Sequence, residues 1–141
     1  MSGSFEPADL PGVLRAAIAA YLAHDADLLE TLYADDSVFE SPLLVVHGAS
    51  EIAELWRAWF AAFPDVSSVI HRATVDDDVT TLDWTETGTH TGELSLGPLR
   101  QAPTGRHLTW TGQTTYRIND NRIAAVHYDM DPTPLLAVVQ S

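Results

Sequence analysis

The hydrophobic period of this chain changes once, at Pro64, from helical to extended. Before Pro64, apolar residues recur every three or four positions. Leu10, Val13, Leu14, Ala17, Ile18, Tyr21 and Leu22 form one run, Leu28, Leu29, Leu32 and Tyr33 a second, and Ile52, Leu55, Trp56, Trp59, Phe60 and Phe63 a third. That spacing puts each set on one face of a helix. After Pro64 the apolar residues alternate with polar ones, the period of a strand with one buried face. Helices first and hairpin-linked strands after predict a single α+β domain. In its economical form a strongly curved antiparallel (mixed) sheet wraps around three N-terminal helices. The aromatic face of the third helix closes one side, and a cone-shaped cavity remains at the open end.

Local signals set the expected boundaries. Residues 1–7 read as a disordered lead-in and 8–141 as the domain. Asp9 can cap the first helix, with Pro11 in its first turn and an end near His24. Asp25 caps a second, shorter helix, Ala34-Asp35-Asp36-Ser37 reads as a turn, and Val38–Pro42 as a short strand stopped by proline. After a loop through His47-Gly48, Ser50 is the expected cap of the third helix, which Pro64 stops.

Val66–Val75 and Thr80–Thr91 are strand candidates around the turn Asp76-Asp77-Asp78; in the second, Leu82, Trp84 and Glu86 share one face and Asp83, Thr85 and Thr87 the other. Residues 95–105 read as a loop. Leu108, Trp110, Gly112, Thr114 and Tyr116 then alternate with Thr109, Thr111, Gln113 and Thr115. Asn119-Asp120-Asn121 is a hairpin signal, because Asn and Asp tolerate positive φ. The last strand is expected to place Ala124, Val126, Tyr128 and Met130 on one face and His127, Asp129 and Asp131 on the other, before Pro132-Thr133-Pro134 ends it.

Composition excludes several chemistries. The chain of 141 residues is long enough for one core, with roughly 70% of the unfolded surface buried. It has no cysteine, hence no disulfide and no thiolate chemistry. All seven basic residues are arginines, which excludes a Schiff-base or P-loop lysine. A net charge of −13 repels phosphate backbones and anionic lipid, so neither nucleic acid nor membrane is an expected partner. The start of the chain has no basic, apolar leader pattern, and cytoplasmic location is the expectation. His24, His47, His71 and His107 show no metal-ligand spacing, so no metal is expected.

Leu32-Tyr33-Ala34-Asp35-Asp36 with Phe39 and Pro42, Gly88-Thr89-His90-Thr91-Gly92-Glu93, Pro103-Thr104-Gly105-Arg106, and Asp120-Asn121-Arg122-Ile123 entering the last strand together carry a resemblance. Over about residues 10–132 the chain resembles the SnoaL-like polyketide cyclase (ester cyclase) branch of the nuclear-transport-factor-2-like superfamily. The resemblance implies a cofactor-free pocket between sheet and helices, commonly in a homodimer. It also implies an acid/base carboxylate on the last strand, where this chain has Tyr128; a bulge of one residue would turn Asp129 inward instead. Steroid isomerases of the superfamily carry an aspartate where Ser41 stands, and their helix-one tyrosine has no counterpart. Its epoxide hydrolases use an Asp–Arg–Asp set; Glu86 matches one acid, but Trp84 and Tyr128 occupy the other two places.

Each candidate has a plain reading beside its chemical one. Glu86, on the face of Leu82 and Trp84, is a general base if that face lines the cavity, and a solvated strand end otherwise. Tyr128 is an oxyanion donor or a wall aromatic. Asp129 is an alternative base or a solvated residue, and Asp131 a turn-former. His90 orients a carboxylate or holds a turn, while His127 falls on the outer face. Trp84, Trp110, Thr114, Ser41, Phe39, Trp59 and Phe60 are the expected substrate-binding wall, core residues first.

The leading expectation is therefore a cofactor-independent acid/base enzyme acting on a small hydrophobic oxygenated molecule by aldol closure, isomerisation or dehydration. The rivals are a non-catalytic ligand-binding or assembly module and an epoxide or ester hydrolase. A cavity below ~300 Å³ favours the non-catalytic module.

Overall fold

The structure, a computed structural model, describes residues 10–96 and 99–134. The expected lead-in and Asp9 lie outside the described residues, but the first helix is capped at Pro11 and starts at Gly12, so Pro11 precedes its first turn instead of lying within it. Helix α1 spans Gly12–Leu22, α2 Ala26–Leu32 and α3 Ala49–Ala62. The strands are β1 Tyr33–Glu40, β2 Val45–His47, β3 Ser67–Asp76, β4 Val79–Thr89, β5 Leu94–Leu96, β6 Leu99–Gln101, β7 His107–Asn119 and β8 Arg122–Met130. Six of these form one sheet in the order β2-β1-β8-β7-β4-β3, and β5 and β6 pair separately. β1 runs parallel to β8, which makes the large sheet mixed. The long β4–β7 and β7–β8 ladders form its centre.

The local chemistry explains where expectation and structure agree. Asp25 accepts a hydrogen bond from the Leu28 amide at 3.1 Å and starts α2. The β7–β8 hairpin turns on Asp120 and Asn121 at φ 52° and 61°, the paired positive angles that match strand twist.

Four further expectations are corrected. Ala34–Ser37 is not a turn: α2 runs straight into β1, which pairs with β8 at Tyr33 and again from Val38, and the polar residues fill the irregular stretch between. α3 begins two residues earlier than a Ser50 cap implies, with Gly48 at φ 92° as its N-cap, an angle glycine adopts without strain. The stretches read as loops also carry the short strands β2, β5 and β6. In β8, Ala124 is the extra residue of a bulge opposite the Arg117/Ile118 step. Ile123 therefore takes the buried place expected for Ala124. The bulge lies before Val126, so the later alternation is untouched.

The core fills the space between α1, α3 and the concave face of the sheet, with Leu14, Ile52, Phe63 and Ile123 wholly buried. Gly112 on β7 lies under the Trp84 ring: a Cβ there would sit 2.7 Å from the indole edge and 2.6 Å from the Asp129 carbonyl. Glycine at this position lets the Trp84 indole lie against β7. Gly112→Ala is expected to cost about 1–3 kcal/mol by overpacking, read as a lower urea midpoint at unchanged m-value. A midpoint equal to wild type would mean that Trp84 is not held where described.

Candidate active site

Strand pleating carries three side-chain rows onto the concave face. β4 supplies Leu82, Trp84 and Glu86, β7 supplies Trp110, Gly112 and Thr114, and β8 supplies Val126, Tyr128 and Met130. The register sets Glu86 opposite Trp110 and Thr114 opposite Tyr128. In this arrangement the Tyr128 hydroxyl donates to Glu86 Oε1 at 2.5 Å, and Trp110 Nε1 donates to the same oxygen at 2.9 Å. Trp84 Nε1 donates to Thr114 Oγ1 at 2.8 Å, which satisfies the indole and fixes its ring.

Burial decides the electrostatics. Glu86 is 3% exposed. Desolvation raises its carboxyl above the ordinary 4.5, partly offset by hydrogen bonding from Tyr128, Tyr21, Trp110 and Ser68. Desolvation and the neighbouring Glu86 charge push the Tyr128 phenol well up as well, so it stays a proton donor at neutral pH.

Two small cavities flank this pair. The first, of about 60 Å³, is lined among others by Tyr21, Trp56, Ser68, Trp84, Glu86 and Tyr128. It has room for only a few heavy atoms. The second, of about 30 Å³, is apolar and is lined by Phe39, Ser41, Leu44, Trp59 and Met130. Trp56 and Tyr128 belong to both and form the partition between them.

The expected residues divide accordingly. Glu86, Tyr128, Trp84 and Thr114 line the first cavity and Phe39, Ser41 and Trp59 the second. Trp110 lines neither but holds Glu86. Phe60 stacks on His24 at 4.5 Å, in the wall between α1 and α3. Ser41 spends its hydroxyl on its own turn, donating to the Leu44 carbonyl.

His90 lines neither cavity. It is wholly buried, and its Nδ1 accepts from the Thr104 amide at 3.2 Å, tying the end of β4 to the 104–106 segment. Asp129 is exposed on the convex face opposite Gln113, because the bulge falls too early to turn it inward. Asp131 accepts from the Thr133 amide at 3.0 Å, and His127 sits outside near Glu40 at 3.6 Å.

Sequence reasoning missed Tyr21. It reads as one more apolar position on α1, and no helix-one tyrosine was expected in the pocket. The structure places it beside Glu86, with its hydroxyl accepting from Trp59 Nε1 at 3.2 Å. Ser68 of β3 also joins the chamber. The hint in the sequence is that one position near the end of the α1 stripe is a tyrosine, an apolar body with a polar tip.

This architecture is the cone-shaped α+β fold of the nuclear-transport-factor-2-like and ketosteroid-isomerase-like proteins. The chain belongs to the SnoaL-like domain family, whose profile matches residues 14–126. No curated protein shows significant sequence similarity to it.

Three solved structures illustrate the likeness. A candidate SnoaL-like polyketide cyclase from Jannaschia sp. CCS1 is 14% identical and superposes with a TM-score of 0.78, covering 92% of this chain and 90% of its own. A protein with a ketosteroid isomerase-like fold from Catenulispora acidiphila, in complex with trimethylamine, is 18% identical at a TM-score of 0.73, covering 92% and 93%. An M. tuberculosis epoxide hydrolase is 20% identical at 0.66, covering 92% and 88%. At these identities the likeness is one of fold.

The raised Glu86 carboxyl sets the sign of a stability prediction. A folded-state value above the unfolded one gives a contribution that is complete below the unfolded value and is lost as pH rises through the folded value. Asp65 and Asp131, whose carboxyls are held low by hydrogen bonds from Thr89 and Thr133, act in the opposite direction. The informative quantity is thus the stability of Glu86→Gln minus that of wild type. It should rise with pH from about 4.5 upward. A flat difference in urea titrations would show that Glu86 is solvated.

Proposed function

We propose that the chamber is a cofactor-independent acid/base site that moves a proton on a small hydrophobic oxygenated molecule. The hydrogen bond from Tyr128 to Glu86, inside an aromatic wall, carries this reading. As the carboxylate, Glu86 takes a proton from the carbon next to a carbonyl: the C–H bond breaks, an O–H bond forms on Glu86, and the electron pair moves onto the carbonyl oxygen. Tyr128 turns its O–H from Glu86 to that oxygen and stabilises the enolate. The enolate then takes the proton back at another carbon, attacks a second carbonyl, or expels a β-hydroxyl, giving isomerisation, aldol closure or dehydration. A positioned base contributes roughly 10²–10⁴-fold, and a carboxyl raised by burial is a stronger base than one in water.

The free volume of about 60 Å³ favours a second reading, a binding module without chemistry, because enzyme pockets usually hold ~300 Å³ or more. The two readings separate in one experiment: α-proton exchange of small ketones in deuterated water, followed by NMR. The acid/base reading expects exchange that Glu86→Gln slows by ~10²–10⁴-fold, with a smaller loss in Tyr128→Phe. Binding of ketones without accelerated exchange supports the module instead. A hydrolase acting through Glu86-activated water is the third possibility, and incorporation of labelled water oxygen into product is its signature.

We further propose a cytoplasmic homodimer joined through the convex sheet face. Thr85, Thr109, Thr111 and Gln113 lie on that face, together with Val69 at 60% exposure. Among the described residues no helix is long and apolar enough to cross a membrane. Light scattering after size exclusion should give twice the 15.4 kDa chain mass, and Val69→Lys should halve it. A monomeric wild type contradicts the proposal.

A further inference from the structure

We propose that the Glu86 chamber binds a small alkylammonium ion, with the carboxylate as its counter-charge and the rings of Tyr21, Trp56, Trp84 and Tyr128 as its walls. The inference uses the same chamber as the acid/base reading. It depends on the charge of Glu86 rather than on its basicity.

The first observation is a missing partner. Glu86 is buried, and all its hydrogen-bonding neighbours are neutral. Six of the seven arginines are exposed. The seventh, Arg57, is engaged by Asp27, Glu30 and Glu54 on the surface. Among the described residues neither arginine nor histidine lines the chamber. The titratable groups facing Glu86 are tyrosines: Tyr21 from α1, Tyr33 from β1, Tyr116 from β7 and Tyr128 from β8. A buried carboxylate without a cation is costly, and a cationic ligand would remove that cost.

The second observation is the wall. Ring centroids lie 5.3 Å apart for Tyr21 and Trp56, 6.2 Å for Trp56 and Tyr128, and 5.0 Å for Tyr128 and Trp84. These four rings form an unbroken arc, and all of them line the chamber. Aromatic arcs of this type hold ammonium groups through the ring quadrupole, most strongly where water is excluded.

The third observation is size and field. A chamber of about 60 Å³ admits only a few heavy atoms, and a net charge of −13 draws small cations toward the protein.

Isopropylammonium and 2-propanol have the same shape and number of heavy atoms and differ in charge. Titrated into the full-length wild-type chain at neutral pH and followed by ligand-observed NMR, the ammonium ion should bind at least tenfold more tightly than the alcohol. In Glu86→Gln, checked for folding by circular dichroism, the two should bind within about twofold of each other. The inference is overturned if wild type binds the alcohol as tightly as the ammonium ion, or if the ammonium ion does not bind. The wild-type pair decides this even if the variant does not fold. If the cation fails while ketone exchange still depends on Glu86, the inference falls and the acid/base reading stands. If the cation binds through Glu86 but no ketone exchanges, the inference stands and the acid/base reading falls.

Discussion

A carboxyl group buried against indole and phenol rings is the constraint around which this molecule is arranged. Moving Glu86 out of water costs several kcal/mol unless its oxygens are hydrogen-bonded. The sheet meets that cost with donors from two neighbouring strands, Trp110 on β7 and Tyr128 on β8, both aimed at Oε1. The Trp84–Thr114 and Trp59–Tyr21 bonds satisfy the surrounding polar edges. What remains is a largely apolar chamber holding a buried carboxyl with no counter-ion among the described residues. A carboxyl perturbed by burial in a cleft is a candidate functional group.

The inward pairing of Glu86 and Tyr128 was legible because it rests on parity, and parity survives as long as the strands run without bulges between the relevant residues. The bulge in β8 falls at Ala124, upstream of Val126, so it moves Ile123 inward and leaves Tyr128 and Asp129 where alternation puts them. Tyr21 was not legible in the same way. A helix stripe says that a residue is buried, but which stripe residue reaches a cavity depends on how the sheet curls around the helix. The Asp35-Asp36 pair was misleading for a related reason. Its turn chemistry is real locally, but pairing of β1 with β8 on both sides holds the segment extended. The short strands β2, β5 and β6 carry too few residues for a period to show.

His90 illustrates how a motif can be conspicuous and still lie outside the pocket. Its place between two threonines leaves two readings, a carboxylate-orienting imidazole and a structural hydrogen bond in a turn. It is wholly buried, accepts the Thr104 amide, and anchors the crossing from β4 to the segment before β7. Burial lowers its imidazole value, which keeps the ring neutral and suited to that acceptor role. The partition of Trp56 and Tyr128 between two small cavities matters more for function. These two rings stand between the two spaces, so Tyr128 serves both as wall and as hydrogen-bond donor to Glu86.

The central claim, that Glu86 is a desolvated carboxyl held by Tyr128, is tested most directly by following the Glu86 side-chain carbonyl carbon by NMR through a pH titration. The resonance should titrate above 4.5 in the wild type and higher still in Tyr128→Phe, which removes a donor to the charged form. Titration at or below the ordinary carboxyl value, unmoved by loss of the phenol, would contradict the account.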